Sequence, residues 1–215
     1  MKESCTKQKI VEAAVFLFNT KGYNGTTVRD IAGKAKVNAA NISYYFSGKQ
    51  GLLEHLITDF LEGYIGILER AFEMQAILTP KEMLIMVVRD VLRYQSENRQ
   101  LARFFYREFS LDSMLIREVM TTYFRRERYY LQEMIKKGER QGEFRRVPFS
   151  VFMTQLKGML SAPYLYPQYI SEVLHEFPSQ TYFTSAYAKE VEKWLEGTLF
   201  HSQAALTPPR TLVSF

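Results

Sequence analysis

Within the stretch VNAANISYYFSGKQGLL, Val37 to Leu53, hydrogen-bonding side chains recur at short intervals: Asn38, Asn41, Ser43, Tyr44, Tyr45 and Lys49. None is a nucleophile beside a base, and none has the spacing of metal ligands. Amides of this kind pair with base edges, hydroxyls reach phosphate or sugar oxygens, and an ammonium neutralises a phosphate. Ala39 and Ala40 keep bulk low beside them, so a backbone can come close to a duplex, and their methyl groups suit thymine. Thr27, with the amide groups of the helix it opens, adds a phosphate ligand. The candidate DNA-contact set is Thr27, Asn38, Ala39, Ala40, Asn41, Ser43, Tyr44, Tyr45 and Lys49.

Such groups need a helix that shows them to solvent while its other side is anchored. Asn38 is a natural N-cap, and Val37 before it pairs with Ile42 in the spacing of a hydrophobic staple. At 100° per residue, Ala39, Ile42 and Phe46 share one arc, with Ala40 and Tyr44 opposite, flanked by Asn41 and Ser43. Upstream, a helix over roughly Thr6 to Lys21 carries the stripe Ile10, Ala14, Leu17, Phe18 and stops at Gly22. Thr27 and Asp30 form a capping box that opens a short helix with Val28, Ile31, Ala32 and Ala35 on one side, and Lys36-Val37 makes the turn after it. Ser47 with Gln50 reads as a second capping box, opening a long helix with Leu53, Leu56, Ile57, Phe60 and Tyr64 on one side. Short helices, a tight turn and an exposed polar face make a helix-turn-helix whose second helix is the reader. A plain three-helix bundle with a polar surface is the bland alternative.

The charge pattern points the same way. Residues 1–56 carry eight Lys/Arg against four Asp/Glu, whereas residues 57–88 carry two against five. A basic head is the electrostatic footprint of a nucleic-acid binder, although ordinary surface scatter could give as much. The lone Cys5 excludes an intrachain disulfide, no apolar run reaches a membrane span, and the first residues lack a signal-peptide core. A cytoplasmic, nucleoid-associated location is expected. His55, His175 and His201 lack metal-ligand spacing, and no phosphate-binding loop, dinucleotide turn or G-x-S-x-G is present. The expectation is a protein that is not an enzyme and has neither cofactor nor metal. Pro is absent before Pro80 and no strand alternation stands between apolar runs, so the chain reads as all-α.

TVRDIAGKAKVNAANISYYFSGKQGLL resembles the DNA-binding domain of the TetR/AcrR family, with GYNGTTVRDIA at the entry to the second helix and YYFSGK at the end of the recognition helix. The resemblance covers about residues 6–57. Ala40 stands where Gly is frequent, Ser43 where an aromatic is frequent and Gly48 where Ser or Asn is usual, so operator sequences are not carried over. The resemblance implies an N-terminal helix-turn-helix domain over 1–50, a helical regulatory and dimerisation domain over 51–204, and an irregular tail over 205–215. It also implies a homodimer that reads a near-palindromic site on double-stranded DNA. ISYYF, FFYREFSLDSMLIREVM and PYLYPQYISEVL are further similar to TetR-type regulators of spore-forming bacilli that act on the division protein FtsZ. That similarity implies FtsZ as a protein partner.

Two surfaces follow from these resemblances. Arg103, Arg107, Glu108, Arg117 and Glu118, set among aromatics, are the candidate partner surface; a solvated helix face is the alternative. TetR-like dimers are held by their last two helices, which assigns Phe152, Leu156, Leu160, Tyr187, Val191, Trp194 and Leu195 to the dimer interface, with a core role open for Trp194. TetR-like proteins also enclose small molecules in the middle region, where Met74, Met83, Met86, Met114, Met120 and Met134 suit either an adaptable cavity or ordinary core. A repressor of a neighbouring transporter or enzyme gene, released by such a ligand, is the alternative to a regulator working through a partner protein.

Overall fold

The computed structural model of the chain describes residues 2–110 and 114–201. Among these no strand occurs; the chain is helical almost throughout, with one isolated bridge between Phe144 and Phe200. The all-α expectation is met. Three N-terminal helices, α1 (Lys2–Lys21), α2 (Val28–Ala35) and α3 (Ala39–Phe46), pack beside the first turns of α4 (Lys49–Glu73). A short 3-10 turn follows, then α5 (Pro80–Glu97), α6 (Arg99–Ser110), α7 (Met114–Arg140), α8 (Phe149–Leu165) and α9 (Thr181–Thr198).

Helix α4 ties the two ends of the molecule together. Its start buries Leu52, Leu53 and Leu56 with the N-terminal helices, and its later turns bury Phe60, Tyr64, Ile65 and Leu68 against α5 and α7. Gly63 lets it approach α5, because a Cβ there would stand 2.3 Å from the Tyr94 hydroxyl. Across α4 and α7, Tyr123 donates to Glu62 at 2.6 Å, while Arg126 at 2.6 Å and the Tyr130 hydroxyl at 3.0 Å donate to Glu69. Arg89 holds Glu192 through two bonds of 2.6 Å, fixing α5 to α9. Helix α6 is docked on α1: the Phe18 and Phe104 rings stack at 5.3 Å, and Asn19 Nδ2 donates to the Gln100 carbonyl at 2.8 Å.

The middle of the body is filled by side chains. Met83, Met134, Phe104 and Phe152 are fully buried, and Phe60 lies 4.8 Å from Phe105. Buried Glu127 accepts from Tyr64 and pairs with Lys157, whose Nζ stands 2.9 and 3.1 Å from its two oxygens. Burial above all, then the Glu127 charge, pushes the Tyr64 hydroxyl's pKa well above its ordinary value, so it stays a donor. Met83 and Met134 are core, Met86 is partly buried, and Met114 and Met120 have side chains outside the described residues.

One expectation needs correction. Ser47 and Gln50 make no capping box: Ser47 ends α3 in the left-handed region at φ 58, and Gly48, at φ 102, precedes α4 with no side-chain cap. The link between α3 and α4 is only two residues long, so the backbone must reverse there, and an extended N-cap serine does not fit. Of the residues expected at the dimer interface, Phe152, Leu156, Leu160, Val191 and Leu195 are buried within the protomer. Tyr187 and Trp194 are half-buried; Trp194 stacks on Phe152 at 5.4 Å and Tyr187 donates to the Met159 carbonyl at 2.8 Å. Periodicity found the apolar stripes of α8 and α9, but those stripes face this chain's own core. Pro163 lies buried in the last turn of α8.

Candidate nucleic-acid interface

Helix α3 is held from both ends. Asn38 is extended at φ −70 and ψ 138, and its side-chain oxygen accepts from the Ala40 N–H at 2.8 Å. Ile42 is fully buried, Phe46 nearly so, and Val37 packs on the same core, as the staple spacing requires. The reversal into α4 brings Gly51 against the end of α3; a Cβ at Gly51 would lie 1.9 Å from the Phe46 carbonyl oxygen. The outer face is open: Ala40, Ser43 and Tyr44 are exposed, Tyr44 by 76%, while Ala39, Asn41 and Tyr45 are half-buried. The Tyr44 and Tyr45 rings meet edge to face at 4.9 Å, which holds both at the solvent side.

Helix α2 is set at its start by the reciprocal Thr27–Asp30 box. The Asp30 N–H donates to Thr27 Oγ1 at 3.1 Å, and Asp30 Oδ2 accepts from the Thr27 N–H at 2.8 Å and its hydroxyl at 2.7 Å. The Thr27 hydroxyl above all, then the Thr27 amide and Lys21, pull the Asp30 carboxyl down to about 2. Thr27 therefore spends its hydroxyl proton on Asp30, and a phosphate at this end would meet a carboxylate. The turn into α3 runs through Lys36, left-handed at φ 55, with the Val37 N–H donating to the Ala32 carbonyl at 3.0 Å. Arg29, exposed on the first turn of α2, has no ion-pair partner among the described residues and joins the candidate set. Its position two residues after a capping threonine is the signal that could have found it.

Lys49 is placed differently from the sequence expectation. Its ammonium donates to the carbonyls of Tyr23 at 3.1 Å and Thr26 at 3.0 Å, and lies 4.3 Å from the Tyr23 ring centre. It clamps the α1–α2 connection to the start of α4 rather than standing free. Spacing cannot reveal this, because the two carbonyls lie more than twenty residues upstream.

The expected partner surface is not one open face. Arg107 donates to the carbonyls of Phe18 and of Asn19, the latter at 3.2 Å, at the end of α1. Glu108 is buried, and burial raises its carboxyl's pKa against the pull of Arg107. Arg103 is half-buried on α6, and Arg117 and Glu118 are exposed on α7. Farther along α7, Arg126 pairs with Glu62 and Glu69 of α4. Among the described residues no group of three His, Cys, Asp or Glu could hold a metal, and no helix is long and apolar enough to cross a membrane.

Residues 10–56 match the model of bacterial regulatory proteins of the tetR family. Over 202 residues, 94% of this chain and 98% of the other, the sequence is 49% identical to the probable HTH-type transcriptional regulator YttP of Bacillus subtilis (strain 168). A shorter match, 37% over 62 residues, covers 27% of this chain and 33% of the biofilm operon icaADBC negative regulator IcaR of Staphylococcus aureus. The fold is similar to that of PfmR, a TetR family transcriptional regulator from Thermus thermophilus, with a TM-score of 0.73 at 23% identity over 88% of this chain and 97% of that one. It is similar too to AibR, solved with isovaleryl coenzyme A and operator DNA, with a TM-score of 0.69 at 18% identity over 88% and 97%.

Proposed function

The chain belongs to the tetR family of bacterial regulatory proteins, and from that premise we propose that it regulates by placing α3 in the major groove of a near-palindromic DNA site as a homodimer. The observation that carries this is the division of α3 into an anchored side, Ile42 and Phe46, and an open side of small and hydrogen-bonding residues, Ala40, Ser43 and Tyr44. Ala40, Asn41 and Ser43 approach base edges, and Tyr44 and Tyr45 reach phosphates. Asn38 and Ala39 set the entry angle, while Thr27, through the amides it opens, and Arg29 sit beside the same backbone. Lys49 supports the set by fixing the connection behind it. The dimer forms through the outward sides of α8 and α9, where Val151 and Leu165 are exposed and Tyr187 and Trp194 half-exposed.

The protein acts in a RefZ-like manner, through FtsZ as partner, with Arg103, Arg117 and Glu118 on the contacting side. This part rests on the similarity of the three segments quoted above and on the side-chain-filled interior, which favours a protein partner over release by a ligand enclosed in the body. Chromatin capture of bound sites tests the first part, and light scattering of purified FtsZ with the DNA-bound protein tests the second. Sites near division or chromosome landmarks and altered FtsZ assembly are the expected results. Sites confined to a neighbouring transporter or enzyme promoter, with FtsZ unaffected, would replace the partner reading by the ligand-released repressor.

A further inference from the structure

Helix α7 keeps one side in solvent along its later turns. At 100° per residue, Arg125, Arg128, Tyr129, Lys136 and Arg140 fall within about a third of the helix circumference, and all five are exposed. They span about 22 Å at 1.5 Å per residue. Unpaired arginines occur elsewhere, Arg70 and Arg146 among them, so the want of an ion-pair partner alone marks nothing. What sets α7 apart is the grouping. Arg125 and Arg128 stand at i,i+3 and Lys136 and Arg140 at i,i+4, spacings at which like charges destabilise a helix. Arg140, in the last turn, is favoured by the helix dipole, but Arg125 and Arg128 stand mid-helix and gain nothing from it. The stripe holds one carboxylate, Glu139, and Glu133 at its edge is engaged by Lys136 at 3.0 Å. The α4 carboxylates facing α7, Glu62 and Glu69, are taken by Tyr123, Arg126 and Tyr130. Between the two cationic pairs Tyr129 is 56% exposed, its ring propped against Phe72 at 6.2 Å and Tyr130 at 5.4 Å.

We propose that this ridge docks an acidic segment of a partner protein, with paired carboxylates on Arg125–Arg128 and Lys136–Arg140 and an aromatic or apolar side chain on Tyr129. Guanidinium forks match carboxylates, and arginine with an exposed tyrosine is the composition of interface hot spots. The two cationic pairs are centred about 17 Å apart along the helix, which an extended chain covers in about five residues. Helices α4 and α7 run parallel, since Glu62, Glu69 and Gln75 meet Tyr123, Tyr130 and Lys137 in that order. The ridge therefore runs away from the α3 end and from a duplex held there, and Glu139 opposes an unbroken line of phosphates. It lies farther along α7 than Arg117 and Glu118, and it goes beyond the proposed function.

Fluorescence anisotropy of the full chain with the labelled peptide EEWGGEE, capped at both ends, is the experiment. Saturable binding below about 1 mM is expected, weaker by at least about tenfold for QQWGGQQ and about threefold for EEGGGEE. The Arg125→Gln/Arg128→Gln protein should bind EEWGGEE at least about tenfold more weakly with unchanged helical circular dichroism. Arg70→Gln/Arg146→Gln, with the same change in charge, should bind it as wild type does. The proposal is overturned if EEWGGEE shows no saturable binding, or if either control peptide binds as well. Equal binding by wild type and both double variants overturns it too, as does equal weakening in the two variants, which would reduce the effect to net charge. A matching loss of duplex DNA affinity in Arg125→Gln/Arg128→Gln would make the ridge a nucleic-acid surface and likewise overturn it.

Discussion

Tyr44, Lys49 and Asp30 show how much a single side chain's role depends on what already holds it. Tyr44 is mostly exposed, and its ring contact is with the neighbouring Tyr45, so truncation should cost little folding energy. Tyr44→Ala is expected to weaken binding to captured DNA by about 1–3 kcal/mol at matched salt, with an unchanged melting temperature. Lys49 behaves differently, because its ammonium is spent on two carbonyls and a ring. Lys49→Ala should lower the melting temperature, corresponding to a loss of about 1–3 kcal/mol, and weaken all DNA sequences alike. The slope of log affinity against log salt should stay as in wild type, whereas loss of a direct phosphate contact would make it shallower by about one. Asp30 gives a pH signature. Its carboxyl is held at about 2 instead of 3.8, so the ionised cap is complete above the ordinary value and is lost as pH falls through the lower one. A carboxyl-carbon NMR titration should show that midpoint, and Thr27→Val should move it back toward 3.8.

At the scale of helices, the short turns carry the orientation of α3. Gly51 has no room for a Cβ beside the Phe46 carbonyl. Gly51→Ala must therefore tilt α3 or α4, and it should reduce DNA affinity by more than about tenfold with most helicity retained; an unperturbed affinity would show that this contact does not set the reading angle. Arg107 has a comparable part between α6 and α1, where it holds the last carbonyls of α1. Arg107→Ala should raise hydrogen exchange at the α1 C-terminus while sparing amides in α5 and α9. The N-terminal helices were legible in the sequence because capping and staple residues act over a few positions: Thr27 with Asp30, Asn38 with Ala40 and Val37 with Ile42. The Ser47–Gln50 box failed because the same local pattern was overruled by a two-residue reversal. The contacts of Lys49 and Arg107 were not legible in the sequence because their partners lie 23 to 89 residues away, beyond any periodic signal.

Across the whole molecule, one continuous core couples the reading end to the body, and α4 and α6 carry that coupling. Helical periodicity identified α8 and α9 but could not say whether their apolar stripes face the chain itself or a second copy; burial of Leu156, Leu160 and Leu195 gives the answer. The Glu127–Lys157–Tyr64 cluster ties α4, α7 and α8 together inside the body. Removing one partner leaves a charge or a donor stranded at low dielectric. Glu127→Leu is expected to lower unfolding stability by about 2–4 kcal/mol, the low side of the buried-pair range because Lys157 keeps some solvent contact. Pairing it with Lys157→Met should recover part of that loss in chemical denaturation.

Bulk placed on the open side of α3 probes groove entry most directly. Ala40 is exposed, and leucine is a good helix former, so Ala40→Leu should fold and melt as wild type does. In fluorescence anisotropy on captured DNA at matched salt, the variant should lose specific binding by at least about a hundredfold, or roughly 2.7 kcal/mol, because the added side chain stands between the α3 backbone and the base edges. Wild-type affinity and sequence preference in a fully folded Ala40→Leu protein would contradict groove entry by this helix.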